Sequence, residues 1–174
     1  MNLLEQFKQI KTFVFDMDGV LTDGTLIITE GREFLRTMHA RDGYAIQLAV
    51  KKGYNVVIIS GGISKPAAER LEYLGVRNVY MNIKDKEEVL AQFLLSHSFK
   101  PGETLFMGDD IPDLDVMKMV GLAACPADAV PEIKAISKFI STFSGGRGCV
   151  REVIEKVMKL NGDWITGSSE VASQ

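Results

Sequence analysis

With 174 residues, 46% of them hydrophobic and 25% charged, the chain has the size and composition of one soluble globular domain with a sizeable core. A net charge of −3 excludes the strongly basic field suited to nucleic acid or an anionic membrane, and no apolar run is long enough to span a bilayer. Cys125 and Cys149 lack metal-ligand spacing, His39 and His97 stand apart, and the opening residues carry no secretory pattern, so a reducing cytoplasm is expected.

Residues 1–10 read as a short amphipathic helix. The run Phe13-Val14-Phe15 has the β-branched and aromatic character of a buried strand, and it ends in Asp16-Met17-Asp18-Gly19. Two strand-like runs, 25–29 and 34–39, flank a turn containing Gly31 and predict a β-hairpin. A helix follows over 41–52, then a second buried strand over 55–60 that ends in Ser60-Gly61-Gly62. Ser64 caps a helix to 74, stopped by Gly75, and 78–81 is a short strand. Asp85-Lys86-Glu87-Glu88 has capping-box spacing and opens a helix to about 98. A fourth strand over 104–108 again runs into acids, Asp109-Asp110-Ile111-Pro112-Asp113. A helix to 120, a strand over 121–124, a helix from Pro131, a strand over 139–140 and a helix to about 160 complete the pattern. Strands alternating with helices at this spacing predict an α/β fold with a doubly wound, Rossmann-like parallel sheet. Residues 1–164 form the expected domain, the hairpin over 25–39 a flap on it, and the Ser- and Gly-rich segment 165–174 a flexible tail.

In such a sheet the carboxyl ends of the parallel strands share one edge, where ligands bind. Asp16, Asp18, Ser60, Asp109 and Asp113 fall on that edge, with Lys86 at a helix start. Each has an ordinary reading by itself, as a turn residue, a helix cap or a solvated lysine. Together they form a set of acids, one hydroxyl and one lysine that suits a divalent cation plus a phosphoryl group.

This order of motifs resembles the haloacid dehalogenase superfamily of phosphohydrolases. Its DxDGxxT motif matches residues 16–22, its Ser/Thr matches Ser60, its lysine matches Lys86, and its GDDxxD motif matches residues 108–113. The resemblance covers nearly everything from residue 11 to about 161. The intervals between motifs hold only a hairpin with one helix, then one helix with one strand, so no cap domain is expected. The chain is thus similar to the capless subgroup acting on eight- and nine-carbon sugar-acid phosphates. Residues 41–44 and the GGxGxxRE pattern at 145–152 resemble most the members hydrolysing 3-deoxy-D-manno-octulosonate 8-phosphate, an activity of lipopolysaccharide biosynthesis. Gly62 departs from the larger polar residue that often follows Ser-Gly, and nine-carbon phosphatases can carry Glu there.

The resemblance implies Asp16 as nucleophile, Asp18 as general acid and base, and Ser60, Lys86 and Gly61 on the phosphoryl oxygens. It implies Mg²⁺ held by Asp16, Asp18 and Asp109, with Asp110 and Asp113 orienting that shell. Arg70, and more weakly Arg147, are the arginines expected at the sugar carboxylate. The apolar hairpin and the open site point to a homotetramer, as in related capless phosphatases. A different class, the phospho-accepting receiver domain, shares the sheet and an acid cluster, but its phosphorylated Asp would end a strand where Ser60 stands.

Overall fold

A computed structural model of the chain describes residues 2–164, so the tail expected over 165–174 lies outside the described residues. In chain order, α1 (Leu3–Gln9) leads into β1 (Thr12–Phe15), followed by the hairpin strands β2 (Ile27–Ile28) and β3 (Phe34–Leu35) and by α2 (Ala40–Lys51). Next come β4 (Asn55–Ile59), α3 (Lys65–Tyr73), β5 (Asn78–Tyr80), α4 (Lys86–Ser96) and β6 (Thr104–Met107). The chain closes with α5 (Leu114–Lys118), β7 (Leu122–Cys125), α6 (Pro131–Ile136), β8 (Phe139–Ile140) and α7 (Cys149–Asn161).

Six strands form one sheet in the order β5-β4-β1-β6-β7-β8, every pairing parallel. The order reverses beside β1, which therefore lies between β4 and β6 and is buried along its whole length. Alternation along β1 sends Phe13 and Phe15 to one face and Val14 to the other. The first face packs against Phe7 of α1, Ile46 of α2, Leu71 of α3 and Ile154 of α7. The second packs against Leu90 and Phe93 of α4, Val116 of α5 and Ile133 of α6. Helices on both faces satisfy the two-sided burial that parallel strands require, and the carboxyl ends of β4, β1 and β6 emerge side by side.

Several predicted elements come out shorter, two of them beside the site. The hairpin pairs only Ile27 with Leu35 and Ile28 with Phe34, and it forms a separate two-stranded ribbon. Beyond Leu35 the chain turns inward, because Arg36 reaches an acid of the site and Met38 packs against the core. The helix expected to 120 ends at Lys118, after a 3₁₀ turn over Ile111–Asp113 that opens with Pro112 in its first turn. Between β1 and β4 lie only the hairpin and α2, and between β4 and α4 only α3 and β5, so no cap domain is inserted.

Candidate active site

Asp16 follows directly on β1, its N–H donating to the Met107 carbonyl at 3.1 Å, and its side chain is nearly buried. The chain then makes a wide turn over Met17–Leu21, in which Gly19 has φ 91°. That glycine has a second reason to be there: a Cβ on it would lie 2.0 Å from Oδ2 of Asp109. Only a residue without a side chain lets the loop after β1 and the loop after β6 approach this closely.

Lys86, in the first turn of α4, is buried and bridges two acids. Its Nζ donates to Oδ1 of Asp16 at 2.8 Å and to Oδ1 of Asp113 at 2.6 Å. Asp85 caps that helix by accepting from the Glu88 amide at 2.9 Å, which fixes the helix start and with it the lysine stem. The second oxygen of Asp113 accepts from the Asp109 N–H at 3.1 Å. Asp16, Asp109 and Asp113 each offer an oxygen within 4.8 Å of the others, and Oδ1 of Asp109 is buried without a hydrogen-bond partner.

One lysine does not neutralise this set. Burial pushes the Asp109 carboxyl up to about 8, helped by the charges of Asp16, Asp113 and Asp110. Burial, with Asp113 adding to it, raises Asp16 to about 6 against the pull of Lys86. Burial alone would lower Lys86, but Asp16 and Asp113 hold it above its ordinary value. Hard oxygen donors, an excess of negative charge and an unsatisfied buried carboxylate oxygen fit a divalent cation of the Mg²⁺ type.

Asp18 stands apart from this cluster. Its two oxygens accept from Arg36, Nε to Oδ1 at 2.7 Å and Nη2 to Oδ2 at 2.9 Å. Thr22 Oγ1 donates to Oδ1 at 3.4 Å and itself accepts from the Gly19 N–H at 3.3 Å, which ties the acid to its own turn. Ser60 is buried at the end of β4, and its Oγ accepts from the Gly62 N–H at 3.1 Å. Asp16, Asp18, Ser60, Lys86, Asp109 and Asp113 line one open cleft of about 340 Å³, with Gly61, Gly62, Ile83, Asp110 and Pro112.

Eight of the residues expected at the site, Asp16, Asp18, Ser60, Gly61, Lys86, Asp109, Asp110 and Asp113, therefore face one cleft. Asp110 sits at its rim and caps the following turn through the Ile111 N–H. Arg70 and Arg147 do not line it. The Arg70 guanidinium lies over the Tyr73 ring, 5.6 Å from its centroid, and Arg147 pairs with Asp23 at 3.1 Å in a different groove. The contacts of two residues escaped the sequence reading. Arg36 is the partner of Asp18, and buried Asp42 accepts from the N–H groups of Gly148 (3.2 Å) and Arg151 (2.7 Å), so that it caps α7 from another helix. The loop leading into α7 also donates the Gly146 N–H to the Val20 carbonyl at 2.9 Å, bracing the turn that carries Asp18 from behind.

Comparison with known proteins places the chain. No family model matches it. The Escherichia coli K12 protein named 3-deoxy-D-manno-octulosonate 8-phosphate phosphatase KdsC is 31% identical over 161 residues, covering 92% of this chain and 86% of the relative. The chain belongs to this phosphatase family. Among solved structures, the Moraxella catarrhalis phosphatase of the same name, in complex with magnesium, phosphate and the KDO molecule, superposes with a TM-score of 0.87. It is 29% identical and covers 90% of each chain. A Legionella pneumophila structure assigned to the haloacid dehalogenase superfamily, subfamily III A, superposes with a TM-score of 0.89 at 32% identity, covering 92% of this chain and 88% of that one. Membership of the KdsC-type phosphatases agrees with the capless parallel sheet and leaves no place for a receiver domain.

Proposed function

We propose that the chain hydrolyses 3-deoxy-D-manno-octulosonate 8-phosphate, with Mg²⁺, through a covalent phospho-enzyme. The observation that carries this reading is the cleft in which Asp16, ion-paired to Lys86, and Asp18, two residues on, stand beside the Ser60–Gly61 turn. Asp16 attacks phosphorus in line as the bond to the sugar oxygen breaks, which gives an aspartyl-phosphate and splits one hard displacement into two. Asp18 protonates the departing sugar oxygen, then takes a proton from the water that hydrolyses the aspartyl-phosphate. Lys86, the Ser60 hydroxyl and the Gly61 N–H hold the non-bridging oxygens. Mg²⁺, held by the Asp16 and Asp109 carboxylates and the Asp18 backbone carbonyl, would supply positive charge to the phosphoryl group. Asp113 orients the Asp109 backbone and Lys86 at once, and Asp110 adds negative charge at the rim.

Steady-state kinetics with Mg²⁺ on eight- and nine-carbon sugar-acid phosphates test the substrate, and the eight-carbon ester should have the higher kcat/KM. Asp18→Asn tests the proton transfer. Turnover of the sugar ester should fall by about 10²-fold or more, whereas an aryl phosphate, whose leaving group needs little protonation, should lose much less. Equal losses on the two esters would remove Asp18 from the acid role.

We also propose that the working form is a homo-oligomer, a tetramer, joined through the hairpin. Ile27, Ile28, Phe34 and Leu35 are 53%, 68%, 52% and 44% exposed, a larger apolar surface than an isolated ribbon keeps in water. Free, buried Cys125 and Cys149 fit a reducing, cytoplasmic setting. Sedimentation should give an assembly for the intact chain and a monomer when Leu26 and Ile28 are both changed to Lys. An active wild-type monomer at micromolar concentration would count against it.

A further inference from the structure

Asp18 is fully engaged. A guanidinium that binds both oxygens of a carboxylate in parallel fixes the acid's position and takes the lone pairs it would turn toward a reacting group. The rest of the Arg36 fork is also occupied, Nη1 donating to the carbonyls of Phe34 (3.2 Å) and Ile63 (3.4 Å), and the side chain is only 6% exposed.

Gly62 makes this arrangement possible. A Cβ at position 62 would lie 2.9 Å from Nη2 of Arg36 and 2.9 Å from Oδ2 of Asp18. The guanidinium thus fills the space that a side chain at position 62 would claim, next to two cleft-lining glycines. It is carried there by the hairpin, which pairs only with itself and stands outside the main sheet, so the segment that delivers Arg36 can shift without breaking a sheet ladder.

A group that protonates the leaving oxygen must point at that oxygen, so whatever is bonded to Asp18 lies within one side chain of the departing sugar. We infer that Arg36 is the specificity-determining residue: an anionic carboxylate on the substrate's leaving group replaces Asp18 on the Arg36 fork, and the exchange frees Asp18 for the sugar oxygen. The inference rests on the role of Asp18 given above. The guanidinium keeps a partner throughout, because one carboxylate takes the place of another on the same buried cation. A neutral sugar phosphate brings no replacement anion and has to part the pair uncompensated. Arg36 therefore selects acid-bearing esters, because it is bonded directly to the cleft acid Asp18.

The test is the ratio of kcat/KM for 3-deoxy-D-manno-octulosonate 8-phosphate to that for glucose 6-phosphate, measured with Mg²⁺. In Arg36→Met the ratio should fall at least about tenfold, the discrimination expected when a hydrogen-bonded charge pair is lost. Arg36→Lys, which keeps the charge without the fork, should fall between, and it carries the test if the Met variant does not fold. Gly62→Ser, which crowds the guanidinium while Arg36 remains, should lower the ratio too. Equal losses on both esters, leaving the ratio unchanged, would overturn the exchange and reduce Arg36 to a brace for the hairpin. A wild-type chain that turns over neither ester would instead overturn the phosphatase reading, and this inference with it.

Discussion

Replacing Asp16 with Asn should lower turnover by at least about 10⁴-fold, the scale seen when a covalent nucleophile is removed from a concerted site, yet leave the thermal midpoint unchanged or raised. The two halves of this expectation have one cause. The Asp16 carboxyl is raised to about 6 by burial and by Asp113, so its ionised form is a burden on the fold that Lys86 offsets only in part. Asparagine keeps the shape and removes the charge. Lys86 retains Asp113 at 2.6 Å, and the repulsion on Asp109 from Asp16 disappears. Activity and calorimetry on the same preparation check both halves. Near-normal turnover would end the covalent mechanism, and a large drop in the midpoint would mean that Asp16 serves the fold more than the chemistry.

Lys86→Met should have the opposite profile, destabilising as well as inactivating. Removing one partner of a buried ion pair strands the other, at a cost of about 3–5 kcal/mol. Here Asp16 and Asp113 both lose their cation. For a chain of this size that corresponds to a fall in the midpoint of roughly 6–20 °C. The deficit should depend on pH. The folded values of Asp16 and Asp109, about 6 and about 8, already exceed the ordinary carboxylate value, and without Lys86 they rise further. A carboxyl raised in this way stabilises the fold below its unfolded value and loses that contribution as pH climbs through its folded value. The variant should therefore lie nearest to wild type at about pH 5 and furthest from it above pH 8, and Mg²⁺ should restore part of the difference at the alkaline end. A deficit that is flat across this range would show that the lysine stem, rather than its charge, supports the helix start.

Much of the architecture was legible because parallel strands buried on both faces read as plain apolar runs. Those at 13–15, 56–59 and 104–107 fall where β1, β4 and β6 run. Their polar ends then had to share one edge, which is why Asp16, Ser60 and Asp109 could be grouped while far apart in the chain. Arg36 could not be found this way. It sits just past a strand whose end is set by tertiary contact, and its partner is settled by the space above Gly62, not by any local pattern. The glycine was a visible departure, but nothing nearby in sequence said what would fill the gap. Asp42 was hidden for a similar reason, since the amides it caps belong to a helix more than a hundred positions later. Arg70 shows the converse case. A guanidinium on the helix after Ser60 suits a carboxylate in principle, but helical spacing does not say whether the tip reaches the cleft, and here it rests over Tyr73.

The bracing of the Asp18 turn by the loop before α7 bears on when this protein becomes competent during its synthesis. Val20 accepts from the Gly146 amide, and Asp42 from those of Gly148 and Arg151, so the turn after β1 is held by a segment translated well over a hundred positions later. At about 5–20 residues per second, some 126 positions of translation impose a wait of roughly 6–25 s between the two. The turn that carries Asp18 is thus a late event on the folding path, although its own residues are made well before the loop that braces it. A chain that stops short of residue 144 keeps every acid of the cleft but lacks the scaffold that aims them. Products terminated before that loop should accordingly be inert, and appearance of phosphatase activity in a translation reaction would report only chains that extend through α7.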